Sequence, residues 1–129
     1  MRYVDSSVVI AEILVERRRP GRDFWVGPLV ASRLLEYEVW TRINALGRKE
    51  SHAESASFLL QGLSMLDLAP SILARALLPF PKRVRTLDAI HLASADFLRG
   101  RGQDISVATY DARLGEVARE MEFELYPLE

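Results

Sequence analysis

Ile105-Ser106-Val107-Ala108-Thr109-Tyr110-Asp111-Ala112-Arg113-Leu114-Gly115-Glu116-Val117-Ala118-Arg119-Glu120-Met121 reads as a strand followed directly by a helix. Ile105 to Thr109 is a short, β-branched apolar run with no in/out alternation, and Ala112 to Met121 is the helix after it. The unit recurs upstream. Arg2-Tyr3-Val4-Asp5 is a short strand ending on an acid, and Val8, Val9, Ile13 and Leu14 then give Val8 to Glu16 helical spacing. Pro28 to Ser32 is a second strand, followed by a helix from Arg33 to Leu46 that Gly47 closes. Strands alternating with helices, each strand a continuous apolar run, predict a parallel sheet covered on both faces. The predicted fold is a three-layer α/β/α domain with a central parallel sheet, spanning residues 1–129 as one unit.

The remaining elements are read from pattern alone. Arg17-Arg18-Arg19-Pro20-Gly21-Arg22 is a basic loop. Ser51 to Leu60 is a helix opened by a Ser51/Glu54 capping box, Met65 to Leu68 a third strand, and Pro70 the start of a helix stopped at Pro79-Phe80-Pro81. Thr86 to Leu98 is the clearest helix, with Gly100-Arg101-Gly102 as its break, and Phe123 to Leu125 is a closing strand.

Composition narrows the function classes. The 129 residues are 49% hydrophobic and 27% charged, within the globular range, and the net charge of −1 excludes a uniformly basic, histone-like surface. Cysteine is absent, which removes disulfide scaffolds, thiolate metal sites and cysteine nucleophiles. Asp5, Glu12 and Glu16 interrupt the N-terminal apolar stretch too early for a signal-peptide core. No uncharged apolar run reaches the roughly 18 residues of a membrane span. A soluble, cytoplasmic protein is expected.

Ligand crevices of open parallel sheets lie beyond the carboxyl ends of the strands, where Asp5 and Asp111 fall. Either could also be a plain helix cap. Asp88 shares a mostly apolar stripe with Leu92 and Ala95, where His91 is its only polar neighbour, so the carboxylate needs a partner or a first-turn capping role. Glu36 and Glu38 are not separated by spacing, and Glu38 could pair with Arg42 at i+4.

These residues carry a resemblance. Asp5-Ser6-Ser7 after the first strand, Ser32-Arg33-Leu34-Leu35-Glu36-Tyr37-Glu38, Thr86-Leu87-Asp88-Ala89-Ile90-His91-Leu92-Ala93-Ser94-Ala95 and Ala108-Thr109-Tyr110-Asp111-Ala112-Arg113-Leu114 resemble, in order, the motifs of PIN-domain ribonucleases of the VapC toxin type. The third block is the most specific, and residues 47–81 carry no family motif. The resemblance implies an acidic cluster of Asp5, Glu38, Asp88 and Asp111, supported by Ser7 and Thr109, with Glu36 left on the surface. It also implies RNA as substrate with 5′-phosphate products, a small antitoxin partner and a homodimer.

Four carboxylates in one pocket repel unless cations join them, and with no thiolate or obvious histidine pair Mg²⁺ or Mn²⁺ is the expected cofactor. Asp5 and Asp88 are the expected primary ligands, completed by Asp111 and Glu38. His91 is read as a packed or hydrogen-bonded histidine and not as a base. For phosphate contacts, Lys82, Arg83 and Arg85 are preferred over the Arg17–Arg22 loop because they precede Asp88 directly. Trp25, Trp40, Phe58 and Phe80 are candidate interface anchors, each weighed more heavily as core.

A haloacid-dehalogenase-like phosphatase needs an acid where Ser7 stands. A receiver domain needs a lysine that Ile105–Thr109 lacks, and Gly100-Arg101-Gly102 is too short for dinucleotide binding. Two other readings keep the fold: a housekeeping RNA-processing nuclease without antitoxin, and a catalytically silent RNA-binding or assembly module.

Overall fold

The structure, a computed structural model, describes residues 1–129. Five parallel strands, β1 (Arg2–Val4), β2 (Leu29–Ser32), β3 (Ser64–Leu66), β4 (Ser106–Ala108) and β5 (Glu124–Leu125), lie in the order β3-β2-β1-β4-β5. Tyr3, on the central strand, sits opposite Val30 on one side and Val107 on the other. Six helices connect them: α1 (Ser6–Ile13), α2 (Arg33–Ala45), α3 (Lys49–Gln61), α4 (Pro70–Ala76), α5 (Thr86–Gly100) and α6 (Ala112–Glu120).

Successive strand residues point to opposite faces, so each strand feeds two cores. Val4, Leu29, Ala31 and Ala108 pack with Val8, Val9, Leu35, Val39, Ile43 and Leu60 from α1, α2 and α3. Tyr3, Val30 and Val107 pack on the other face with Leu92 and Ala95 of α5 and Leu114 and Val117 of α6. This is the expected three-layer arrangement, and it explains the unbroken apolar runs.

From β1 the chain winds outward through β2 and β3, then crosses to the other side through α5 to form β4 and β5. The winding direction reverses between β1 and β4. That reversal opens a crevice at their carboxyl ends, where the helices on the two faces diverge.

Some boundaries differ from the sequence reading. Helix α1 stops at Ile13, because Val15 adopts φ 52° and its N–H and that of Glu16 bond the carbonyls of Glu12 and Ala11. This is the hydrogen-bond pattern of a glycine C-cap, built here on a β-branched residue. Helix α3 begins at Lys49, two residues before the proposed capping box, and the Ser51 hydroxyl instead donates to the Arg48 carbonyl within the first turn. The last residue of the basic loop, Arg22, opens a 3₁₀ turn, Arg22–Trp25. Of the four aromatic anchors, Trp25, Trp40 and Phe80 pack against the cores, while Phe58 is 76% exposed.

Candidate active site

Asp5 follows β1 and caps α1. Its Oδ2 accepts from the Ser7 hydroxyl at 2.6 Å, the Thr109 hydroxyl at 2.8 Å and, at 3.4 Å, the Ser7 backbone N–H. The Ser7 hydroxyl oxygen in turn accepts the Tyr110 N–H, and Thr109 accepts the Asp111 N–H. Two hydroxyls, those of Ser7 and Thr109, therefore tie the loop after β1 to the loop after β4. Asp111 caps α6, with Oδ1 accepting the N–H groups of Arg113 and Leu114. The capping and pocket readings hold together for both acids, because each carboxylate divides its oxygens between the two tasks.

Asp88 lies in the first turn of α5 and accepts no backbone N–H; the cap position belongs to Arg85. Its partner is the Arg85 side chain, whose Nε donates to Asp88 Oδ2 at 3.2 Å while Nη2 donates to Asp111 Oδ2 at 3.0 Å. Partial burial raises the Asp88 pKa; Arg85 opposes that shift and the nearby Asp111 and Asp5 charges add to it.

Glu38, from the middle of α2, reaches the same crevice, whereas Glu36 borders a separate surface cleft with Arg33 and Trp40. Glu38 does not pair with Arg42. Its Oε1 is hydrogen-bonded to His91 Nε2 at 2.6 Å, and the other ring nitrogen lies 2.7 Å from the Tyr3 hydroxyl. His91 Nε2 is also 3.8 Å from Asp5 Oδ1. His91 and Tyr3 are both 1% exposed, so the imidazole is the hydrogen-bonded core histidine expected from its stripe. Burial disfavours the imidazolium, but the Glu38 bond and the Asp5, Glu38 and Asp88 charges outweigh it, placing the pKa above its ordinary value. Burial pushes the Tyr3 hydroxyl strongly upward, so it stays protonated.

Asp5, Ser7, Glu38, Asp88 and Asp111 all line one open groove of about 750 Å³, together with Glu16, Arg18, Arg42, Arg85 and Tyr110. Of the preferred basic run, only Arg85 lines it. Lys82 pairs with Glu116 and Glu120 of α6, and Arg83 borders a small neighbouring cleft with Arg113. Arg18, from the loop ranked second, sits 5.1 Å from the Tyr110 ring centroid as a cation–π pair. Arg42 was readable only as a partner for Glu38, and nothing in its spacing marks it as a groove residue.

The donors suit a hard divalent cation: all are carboxylate oxygens, and two already share one cation, Arg85. No three His, Asp or Glu side chains are grouped around a point where an ion could sit. Two of the acids face Arg85 and a third is held by His91.

The chain matches the PIN domain family over residues 2–120 and belongs to it. It is 30% identical over 129 residues to Ribonuclease VapC47 of Mycobacterium tuberculosis, covering 95% of this chain and 93% of that protein. A toxin–antitoxin complex from Klebsiella pneumoniae superposes with TM-score 0.62 at 16% identity over 88% of each chain. VapC20 of Mycobacterium tuberculosis, a sarcin–ricin loop cleaving toxin, does so with TM-score 0.63 at 14% identity, covering 90% of this chain and 94% of that one. The two structural likenesses carry the fold. No helix is long and apolar enough to cross a membrane.

Proposed function

We propose that the protein is an endoribonuclease that hydrolyses RNA phosphodiester bonds with Mg²⁺ or Mn²⁺, and that it is the cytoplasmic toxin of a toxin–antitoxin pair. The observation that carries this reading is the meeting of four acids from four separate elements at the switch point of the sheet. Kinship with a protein named ribonuclease supports the reaction, and likeness to a toxin–antitoxin complex supports a small antitoxin partner. A homodimer is part of the same reading.

A bound divalent cation supplies Lewis acidity toward the phosphoryl oxygens and a lowered pKa for the attacking water. Asp5, Glu38, Asp88 and Asp111 are the residues that would hold that cation. Ser7 and Thr109 fix the Asp5 carboxylate, and His91 fixes Glu38, so neither acid has to be ordered when substrate arrives. Arg18 and Arg42 sit on the groove wall, where RNA phosphates need cations. Despite a net charge of −1, the groove thus combines an acidic floor with a basic rim.

The test is cleavage of total RNA by the purified chain with and without Mg²⁺ or Mn²⁺, beside growth of cells induced to express it. Asp5→Asn and Asp88→Asn should each lower cleavage by roughly a hundredfold or more and relieve growth arrest, with cooperative unfolding retained. Glu38→Gln should do the same and Glu36→Gln should not. Cleavage that survives EDTA, or persists in both aspartate variants, overturns the assignment. Cleavage without growth arrest leaves a nuclease of the housekeeping kind.

A further inference from the structure

One guanidinium holds two of the four acids. Arg85 spans from α5 to the start of α6, donating Nε to Asp88 and Nη2 to Asp111. No other hydrogen bond reaches the Asp88 carboxylate, and Asp111 Oδ1 is already committed to capping α6, which leaves Oδ2 as its groove-facing oxygen. Arg85 therefore occupies one carboxylate oxygen of each acid, Asp88 Oδ2 and Asp111 Oδ2, at the groove. Its side chain is 63% exposed and makes no other hydrogen bond. Its backbone is extended at φ −77° and ψ 160°, and its carbonyl is fixed by the Ala89 N–H, so the side chain can turn away without disturbing the helix.

The geometry points to Arg85 as an internal counter-ion that a divalent cation displaces and that then serves as a phosphate contact for RNA. The inference rests on the metal-dependent reading above and adds an exchange to it. Exposed ion pairs of a single positive charge are weak, so a dication with several carboxylate oxygens takes the acids from the guanidinium. The freed fork is planar, always charged and matched to phosphate oxygens, and it stays tethered three residues from Asp88. Because the acids and the phosphate compete for one guanidinium, metal and RNA help each other to bind, and that coupling is reciprocal. Arg85 then acts as a competitor of the cation for the acids and as a binding residue for the substrate.

The experiment measures Mn²⁺ binding to the full-length chain by calorimetry in the absence of RNA, for wild type, Arg85→Gln, Arg85→Lys and Arg42→Gln. Arg42→Gln removes one charge from the same groove without touching Asp88 or Asp111, and so controls for net charge. Arg85→Gln should tighten Mn²⁺ binding roughly fivefold or more, Arg85→Lys less, and Arg42→Gln least. The melting temperature of Arg85→Gln without metal should fall, since two carboxylates lose their shared cation, and Mn²⁺ should restore it. In cleavage assays at saturating Mn²⁺, Arg85→Gln should raise KM for RNA.

Wild-type binding that Arg85→Gln fails to tighten, or an equal gain in Arg42→Gln, overturns the exchange and leaves the nuclease reading standing. Absence of Mn²⁺ binding in wild type and every variant removes the metal-dependent reading, and the exchange with it.

Discussion

The buried string Tyr3–His91–Glu38 makes a prediction whose size follows from its geometry. His91 bonds at both ring nitrogens inside the core, 2.7 Å from the Tyr3 hydroxyl and 2.6 Å from Glu38. When the ring is neutral and Nε2–H donates to the carboxylate, Nδ1 accepts the Tyr3 proton. Replacing His91 by Leu removes the 2.7 Å partner of a hydroxyl that is 1% exposed and leaves it Ser94 and the Ser32 backbone nearby, at a cost of about 1–3 kcal/mol. It also removes a charge-assisted bond, discounted because the Glu38 side chain is 19% exposed and can recover water. Together these come to about 3 kcal/mol, a large share of the roughly 5–15 kcal/mol that holds a domain of this size. Tyr3→Phe orphans only Nδ1, costing about 1–2 kcal/mol. In the double variant the hydroxyl and the ring nitrogen vanish together, so its cost should fall short of the sum by about 1–2 kcal/mol. Urea unfolding of the four proteins measures this coupling, and RNA cleavage measures its consequence, since Glu38 is held in His91→Leu by neither ring nitrogen nor hydroxyl. Additivity within about 0.5 kcal/mol, or full cleavage activity in His91→Leu, refutes the claim that this string orders the site.

Two further predictions concern the scaffold. Val15→Gly should raise unfolding stability by about 0.5–1 kcal/mol in a urea titration, because relief of a left-handed, β-branched residue exceeds glycine's entropy cost and the 64% exposed side chain buries little; a loss of stability would mean that the strain is not there. Asp96 is desolvated, yet its bonds to Arg75 and Arg99 hold its pKa below the ordinary 3.8, so its contribution is present above that value and fades as pH falls through the folded pKa. The stability gap between wild type and Asp96→Asn should therefore narrow below about pH 4, and a gap independent of pH would refute the ion-pair account.

The layered fold was legible because its strands are short, apolar and each followed by a helix. Register with the solvent face plays no part in a sheet covered on both sides. Helix ends were legible where glycine marks them, as at Gly47, and not where Val15 does the same work. Asp5 and Asp111 could be placed from strand ends alone. The choice between Glu36 and Glu38 could not, because it depends on α5: the buried His91 Nε2 takes a carboxylate partner from α2, and of the two glutamates it is Glu38 that meets it. That pairing is a contact 53 residues away in the chain, which no helical period encodes. Nearness in sequence to Asp88 likewise did not show that Lys82 pairs with Glu116 and Glu120 of α6, contacts 34 and 38 residues away.

The split use of the capping carboxylates explains how a site of mutually repelling acids fits into a stable fold. Asp5 gives Oδ2 to three donors and keeps Oδ1 on the side of His91; Asp111 gives Oδ1 to two backbone N–H groups and keeps Oδ2 for the groove. In each, the bonded oxygen sits at a helix N-terminus, where negative charge is stabilised by the exposed N–H groups. The fold thus returns part of the repulsion through bonds it needs anyway to start α1 and α6. An Asn at either position can keep its carbonyl oxygen on the structural side and turn only its amide toward the groove. That makes Asn, and not Ala, the substitution that separates chemistry from folding, because Ala would delete the cap together with the charge.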